Sequence, residues 1–164
     1  MDFLVEFFID LFGGISKDII IFVISLMPIL ELRGGLLAAS LLDVEFVRAA
    51  IICIVGNVLP IPFVLLFLRY VLEILSKWNV TKKIVNWLEK KVEDKREQID
   101  KYGYWGLVIF VGIPLPGTGA WTGALLAIML GLDRKKSFVC ILLGVLMAAI
   151  IMSILSYGIL GNLI

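Results

Sequence analysis

Three observations predict an all-α integral membrane protein. The 164 residues are 61% hydrophobic and 18% charged, against roughly 45–50% and 25% in a soluble domain. Two apolar stretches, 46–75 and 137–164, are each long enough to cross a hydrocarbon core about 30 Å thick, which takes roughly 20 residues. Two more, 19–42 and 104–132, are also strongly apolar but are interrupted halfway by prolines and glycines. The pattern predicts one membrane domain over residues 1–164: a first repeat about 16–75, an amphipathic linker 76–102, and a second repeat about 103–164.

The start of the chain has no basic leader and no small-residue cleavage site, so it does not read as a signal peptide. Asp2, Glu6 and Asp10 recur every four residues opposite Phe3, Leu4, Phe7, Phe8 and Leu11. That spacing predicts an amphipathic helix, either lying in a membrane interface or packed on other helices. The first broken stretch carries Pro28, Glu31, Arg33, Gly34 and Gly35; the second carries Pro114, Pro116, Gly117, Thr118 and Gly119. The helix 46–75 contains Asn57 and two prolines, Pro60 and Pro62, which predict a kink. The linker sets Val85, Leu88, Val92 and Ile99 among lysines, with Trp78 and Trp87 near its start. It reads as a helix on the inner interface or as a solvated connector.

The two broken halves resemble each other. An offset of 88 pairs Pro28 with Pro116, Gly35 with Gly123, Leu37 with Leu125, Ala39 with Ala127, Leu42 with Leu130 and Gly56 with Gly144. Matching Gly/Pro interruptions in two halves point to a transporter's binding site. Charge suggests how the halves are oriented, because short cytoplasmic loops collect Lys and Arg. If the second broken stretch enters and leaves on one side, eleven of the chain's 15 basic residues, in 77–101 and 134–136, are cytoplasmic. The first stretch then opens outward, since 43–48 holds only Arg48. The predicted fold is therefore two inverted repeats, each a re-entrant helical hairpin plus a transmembrane helix, with amphipathic interfacial helices. Each hairpin arm of about 10–12 residues reaches roughly 15–18 Å, the depth of the midplane. The rival arrangement is four ordinary spanning helices.

Glu31 and Arg33 are the candidate functional charges. A charge at the bilayer centre costs about 2.5–3.5 kcal/mol on insertion scales, so it marks a substrate or ion site or a structural clamp. Pro28, Gly34 and Gly35 are expected to turn the chain there, and Pro114, Pro116, Gly117 and Gly119 to do so in the second hairpin. A helix starting near Ala120 would aim free N–H groups at the centre, an anion site to which Thr118, Trp121 and Thr122 could contribute. Asn57 reads as a hydrogen-bonding link between helices or as a site residue.

With these motifs in view, Pro28-x-x-Glu31-Leu32-Arg33-Gly34-Gly35 and Pro114-x-Pro116-Gly117-Thr118-Gly119, the chain resembles the small multidrug export protein family, related to the DedA/VTT membrane proteins. The resemblance implies inverted repeats with re-entrant hairpins, and charged hairpin residues tied to proton-dependent transport. It departs from the DedA pattern in the second hairpin, which has no charged residue between 104 and 132.

The expected function is a multi-pass cell-membrane transporter or lipid translocase. Its solute would be small and anionic or amphiphilic, such as a lipid phosphate, and its transport coupled to protons through Glu31. The alternatives are export of cationic drugs and a non-transporting scaffold. No enzyme is expected: histidine is absent, no metal-binding spacing occurs, and Cys53 and Cys140 sit alone in apolar runs. No cofactor, metal or nucleic acid is expected as a partner. Membrane lipid, the solute and at least a second copy of the chain are, because two spans and two hairpins are little to enclose a path.

Overall fold

The computed structural model describes residues 16–76, 101–115 and 117–159, and every regular element among them is a helix. In the first half α1 (Lys17–Leu26) and α2 (Glu31–Leu41) flank a four-residue break. A second short turn leads into α3 (Phe46–Val58), and α4 (Ile61–Ser76) follows a kink at Leu59 and Pro60. In the second half α5 (Tyr104–Gly112) and α6 (Ala120–Met129) flank a longer break. The last helix, α7 (Arg134–Ser153), continues into a π-helical turn, Ile154–Ile159. The amphipathic helix expected before residue 16, the linker 77–100 and Pro116 lie outside the described residues.

Both breaks fall where the prolines predict, but the first is built differently from the expectation. Gly34 and Gly35 do not turn the chain; they lie inside α2, with the Gly34 N–H donating to Leu30 O at 2.8 Å. Met27 to Leu30 make the bend, and Glu31 opens α2 at a positive φ of 52°. What the glycine pair provides is closeness: a Cβ at Gly35 would overlap Ser25 Oγ and lie 2.9 Å from Cys53 Sγ.

The offset of 88 recurs in backbone detail. Leu42 N–H donates to Ala38 O and Val44 N–H to Ala39 O; Leu130 N–H donates to Leu126 O and Leu132 N–H to Ala127 O. Asp43 and Gly131, equivalent positions, both have positive φ, 53° and 69°. The Glu45 carboxylate caps α3 by accepting from Arg48 N–H at 2.9 Å, and Asp133 caps α7 by accepting from Lys136 N–H at 2.9 Å. Gly56 and Gly144, again equivalent, bring long helices against hairpins: an added Cβ would sit 2.9 Å from Phe22 O in one case and 2.9 Å from Val108 O in the other.

Contacts join the two ends of each broken pair. Lys17 Nζ donates to Leu42 O and Arg48 pairs with Asp18, closing the mouth of α1–α2. Asp133 N–H donates to Tyr104 Oη at 3.1 Å, closing the mouth of α5–α6. These mouths lie at opposite ends of α7. Asp133 caps its start, whereas at its far end Tyr157 Oη donates to Val44 O at 3.0 Å and Ser40 Oγ donates to Ser156 O at 2.9 Å.

Two helical segments, Phe46–Leu68 across the kink and Arg134–Gly158 into the π-helical turn, have 23 and 25 residues, at most roughly 34 and 38 Å at 1.5 Å per residue. Each turns one apolar face outward. Val47, Ile51, Val55, Leu59 and Phe63 form an exposed stripe on the first, and Val139, Leu143, Leu146 and Ile150 one on the second. An exposed apolar surface of this extent suits contact with lipid. The hairpin arms, 9 to 11 residues long, reach about half that depth. Inside, Ile21, Leu32, Leu36, Leu107, Val111 and Ile141 belong to one buried cluster shared by both halves.

Candidate functional site at the paired helix breaks

The second break takes backbone groups at both helix ends out of the regular ladder; within the loop, among the described residues, only Leu115 N–H to Ile113 O, at 2.9 Å, and Thr118 N–H to Leu115 O, at 3.2 Å, replace it. Carbonyls of the last turn of α5 and of the following loop have no next turn to bond, and the first N–H groups of α6 have no preceding carbonyl. In lipid such groups must find partners within the protein. The first hairpin supplies them. Arg33 Nη1 donates to Leu115 O at 2.7 Å; its Nη2 contacts Ile113 O at 3.2 Å, Thr118 Oγ1 at 2.8 Å and, more distantly, Val111 O at 3.5 Å. Glu31, with 4% of its surface exposed, accepts from Ala120 N–H at 3.2 Å on Oε2 and from Trp121 N–H at 3.1 Å on Oε1.

The electrostatics are matched end by end. A helix carries partial positive charge at its N-terminus and partial negative charge at its C-terminus. The carboxylate sits at the start of α6 and the guanidinium beyond the end of α5. Glu31 and Arg33 form no direct ion pair; each is hydrogen-bonded to the broken backbone of the other hairpin. The amides expected to stand open at Ala120 and Trp121 are thus occupied by a carboxylate of the same chain.

Gly119 makes this contact possible. Its φ of 136° is open to glycine and strained for other residues. A Cβ there would also fall on the Glu31 carboxylate. Glu31 and Gly119 are equivalent under the offset of 88, so the two hairpins meet at corresponding positions.

The remaining candidate residues distribute as follows. Pro28 lies exposed on the first bend beside Ile29, which is 88% exposed, and makes none of the contacts to the second break. Gly34 and Gly35 pack α2. Pro114 and Gly117, the latter at φ 79°, shape the loop that Arg33 holds. Thr118 Oγ1 also stands 2.9 Å from Ile113 O and 2.8 Å from Leu115 O, tying the loop to itself. Thr122 is half-buried on α6. Trp121 is half-buried, and its indole Nε1 has no hydrogen-bond partner among the described residues; neither has Oδ1 of Asn57, a residue 3% exposed. No cluster of three metal-ligating side chains occurs among the described residues.

Short apolar helical pairs joined at their breaks by Glu31 and Arg33, beside two helices long and apolar enough to cross a membrane, define a small helical membrane protein. The chain belongs to the family described as "Putative small multi-drug export protein", whose model matches residues 31–151, nearly three quarters of its length. The match begins at Glu31 itself. No curated protein and no solved structure matches the chain.

Proposed function

We propose that this protein is a membrane transporter built of two inverted repeats, with its solute site where Glu31 meets the start of α6. The hairpin mouths at opposite ends of α7 support the inverted arrangement: if α7 spans, α1–α2 enters and leaves on one face and α5–α6 on the other. The half-depth arms bring their breaks together between those faces, where transporters of this architecture bind solute.

The observation that carries the reading is a carboxylate of the chain itself seated on the N–H groups of Ala120 and Trp121. A helix N-terminus that holds one anion can hold another. An anionic head of an amphiphilic solute, a carboxylate or a lipid phosphate, replaces Glu31 on these amides while Arg33 keeps the α5–α6 loop in place. The displaced carboxylate, left in a region of low dielectric, takes a proton, so that solute and proton move together. When solute leaves, the proton leaves and Glu31 returns. Two spans and two hairpins enclose little, and a homodimer completes the path.

The family description favours a second reading, export of cationic amphiphiles bound by the Glu31 carboxylate. Liposomes carrying the protein separate the two. Uptake of a labelled fatty acid or lipid phosphate, driven by a proton gradient and lost in Glu31→Gln, supports the anionic reading. Transport of a cationic dye alone favours the drug reading. Inertness toward both overturns the transporter.

A further inference from the structure

Asn57 lies on the same face of α3 as Cys53, one helical turn further on, and Cys53 faces Gly35 of α2. The short turn between α2 and α3 makes the two helices antiparallel. One turn beyond Cys53 therefore stands at the level of one turn before Gly35, and that residue is Glu31. Both offsets are four residues, about 6 Å of rise. Trp121 belongs to the same layer, since its backbone N–H bonds Glu31 Oε1 at 3.1 Å. α4, which starts four residues after Asn57, beyond the kink, packs against α6, which carries Trp121.

The layer so formed holds one buried acceptor, Asn57 Oδ1, and one buried donor, Trp121 Nε1, neither with a partner among the described residues. Buried polar atoms are nearly always hydrogen-bonded, and an unmet one is destabilising. An acceptor and a donor left open in the layer of one carboxylate suit a group that can both donate and accept.

We infer that Asn57 and Trp121 form a neutral subsite beside Glu31, which takes a hydroxyl or carboxamide of the solute. The group donates to Asn57 Oδ1 and accepts from the Trp121 indole N–H. This rests on the solute site proposed above and narrows its cargo: an anionic amphiphile that carries a hydroxyl or amide close to its charged head. It also gives Trp121 two separate tasks, its backbone N–H holding the anion and its indole reading the neutral neighbour.

The test uses the full chain in phosphatidylcholine nanodiscs and two fluorescent fatty acids that differ only in a 2-hydroxy or a 2-methoxy group. The native protein binds the hydroxy acid roughly tenfold more tightly, the size expected when a buried acceptor loses its donor. Asn57→Leu abolishes that preference, and Trp121→Phe, which keeps a ring but removes the N–H, reduces it. Equal affinity for the two acids in the native protein, or a preference that survives in both variants, overturns the subsite and leaves Asn57 and Trp121 holding structural water only; the site at Glu31 then still stands. If neither acid binds, the anion reading fails, and a labelled alkanol and its methyl ether decide the subsite alone. Discrimination between them upholds it, and indifference removes it.

Discussion

Removing the Glu31 carboxylate should unlatch the two hairpins, and the structure sets the size of the effect. Two buried N–H groups, those of Ala120 and Trp121, depend on it at 3.2 and 3.1 Å. A buried donor without a partner costs about 1–3 kcal/mol. Glu31→Ala strands both, a loss of about 4 kcal/mol. Glu31→Gln keeps one acceptor oxygen but points an NH₂ at the second N–H, a loss of about 2 kcal/mol. For a chain of this size each kcal/mol is worth roughly 2–4 °C in Tm. Thermal unfolding in one detergent should therefore show Glu31→Gln lower by about 4–8 °C and Glu31→Ala by about twice that. Amide exchange should locate the damage, with Ala120 and Trp121 N–H exchanging faster while the middle of α7 stays protected. An Ala variant that melts with the native protein, or Gln and Ala variants that melt together, would refute the latch.

Other outcomes follow from the same geometry. Gly119→Ala drives a methyl into the Glu31 carboxylate at a φ of 136°, so it should match or exceed Glu31→Ala in lost Tm and abolish transport. Arg33→Lys keeps the charge but replaces a fork of donors by one ammonium, which cannot reach Leu115 O, Ile113 O and Thr118 Oγ1 together; it should fall between native and Arg33→Met in Tm. Asp133→Ala removes only the α7 cap and should cost about 1 kcal/mol in unfolding. Backbone N–H groups of Arg48 and then Val47 hold the Glu45 carboxyl below its usual range. Its folded pKa lies under the unfolded one, so its contribution is present above about pH 4.3 and fades as pH falls through the folded value. Tm measured from pH 7 to pH 3 should drop further in the native protein than in Glu45→Gln.

The sequence made the breaks legible because proline and glycine act locally. Pro28 and Pro114 each lie in a break, and the charges at Glu31 and Arg33 are too costly in lipid to be incidental. What it left open was partner choice. A carboxylate, a guanidinium and a set of free amides in one chain admit several pairings. Only the crossing of the hairpins shows Glu31 on the start of α6 and Arg33 at the end of α5. Gly34 and Gly35 show the limit of local reasoning: in isolation they suggest a turn, yet Ser25 and Cys53 press so closely on α2 that packing alone accounts for the absence of side chains at Gly35. The bend falls instead to residues 27–30, and the helix after it opens at Glu31, a residue whose propensity gives no hint of a positive φ. Trp121 and Asn57 looked like a site component and a link between helices, and their unmet atoms became visible only once every neighbour had been placed.

Orientation is the claim on which the transport site depends, and it can be measured without knowing the solute. In a background of Cys53→Ala and Cys140→Ala, single cysteines are placed at Asp43 and at Gly131, the equivalent turns at the two hairpin mouths. Intact cells are then treated with a membrane-impermeant maleimide. Labelling of position 43 from outside, with position 131 reacting only after lysis, is the result predicted for hairpins that enter from opposite faces and meet at Glu31. Both positions reacting from the same side would contradict it.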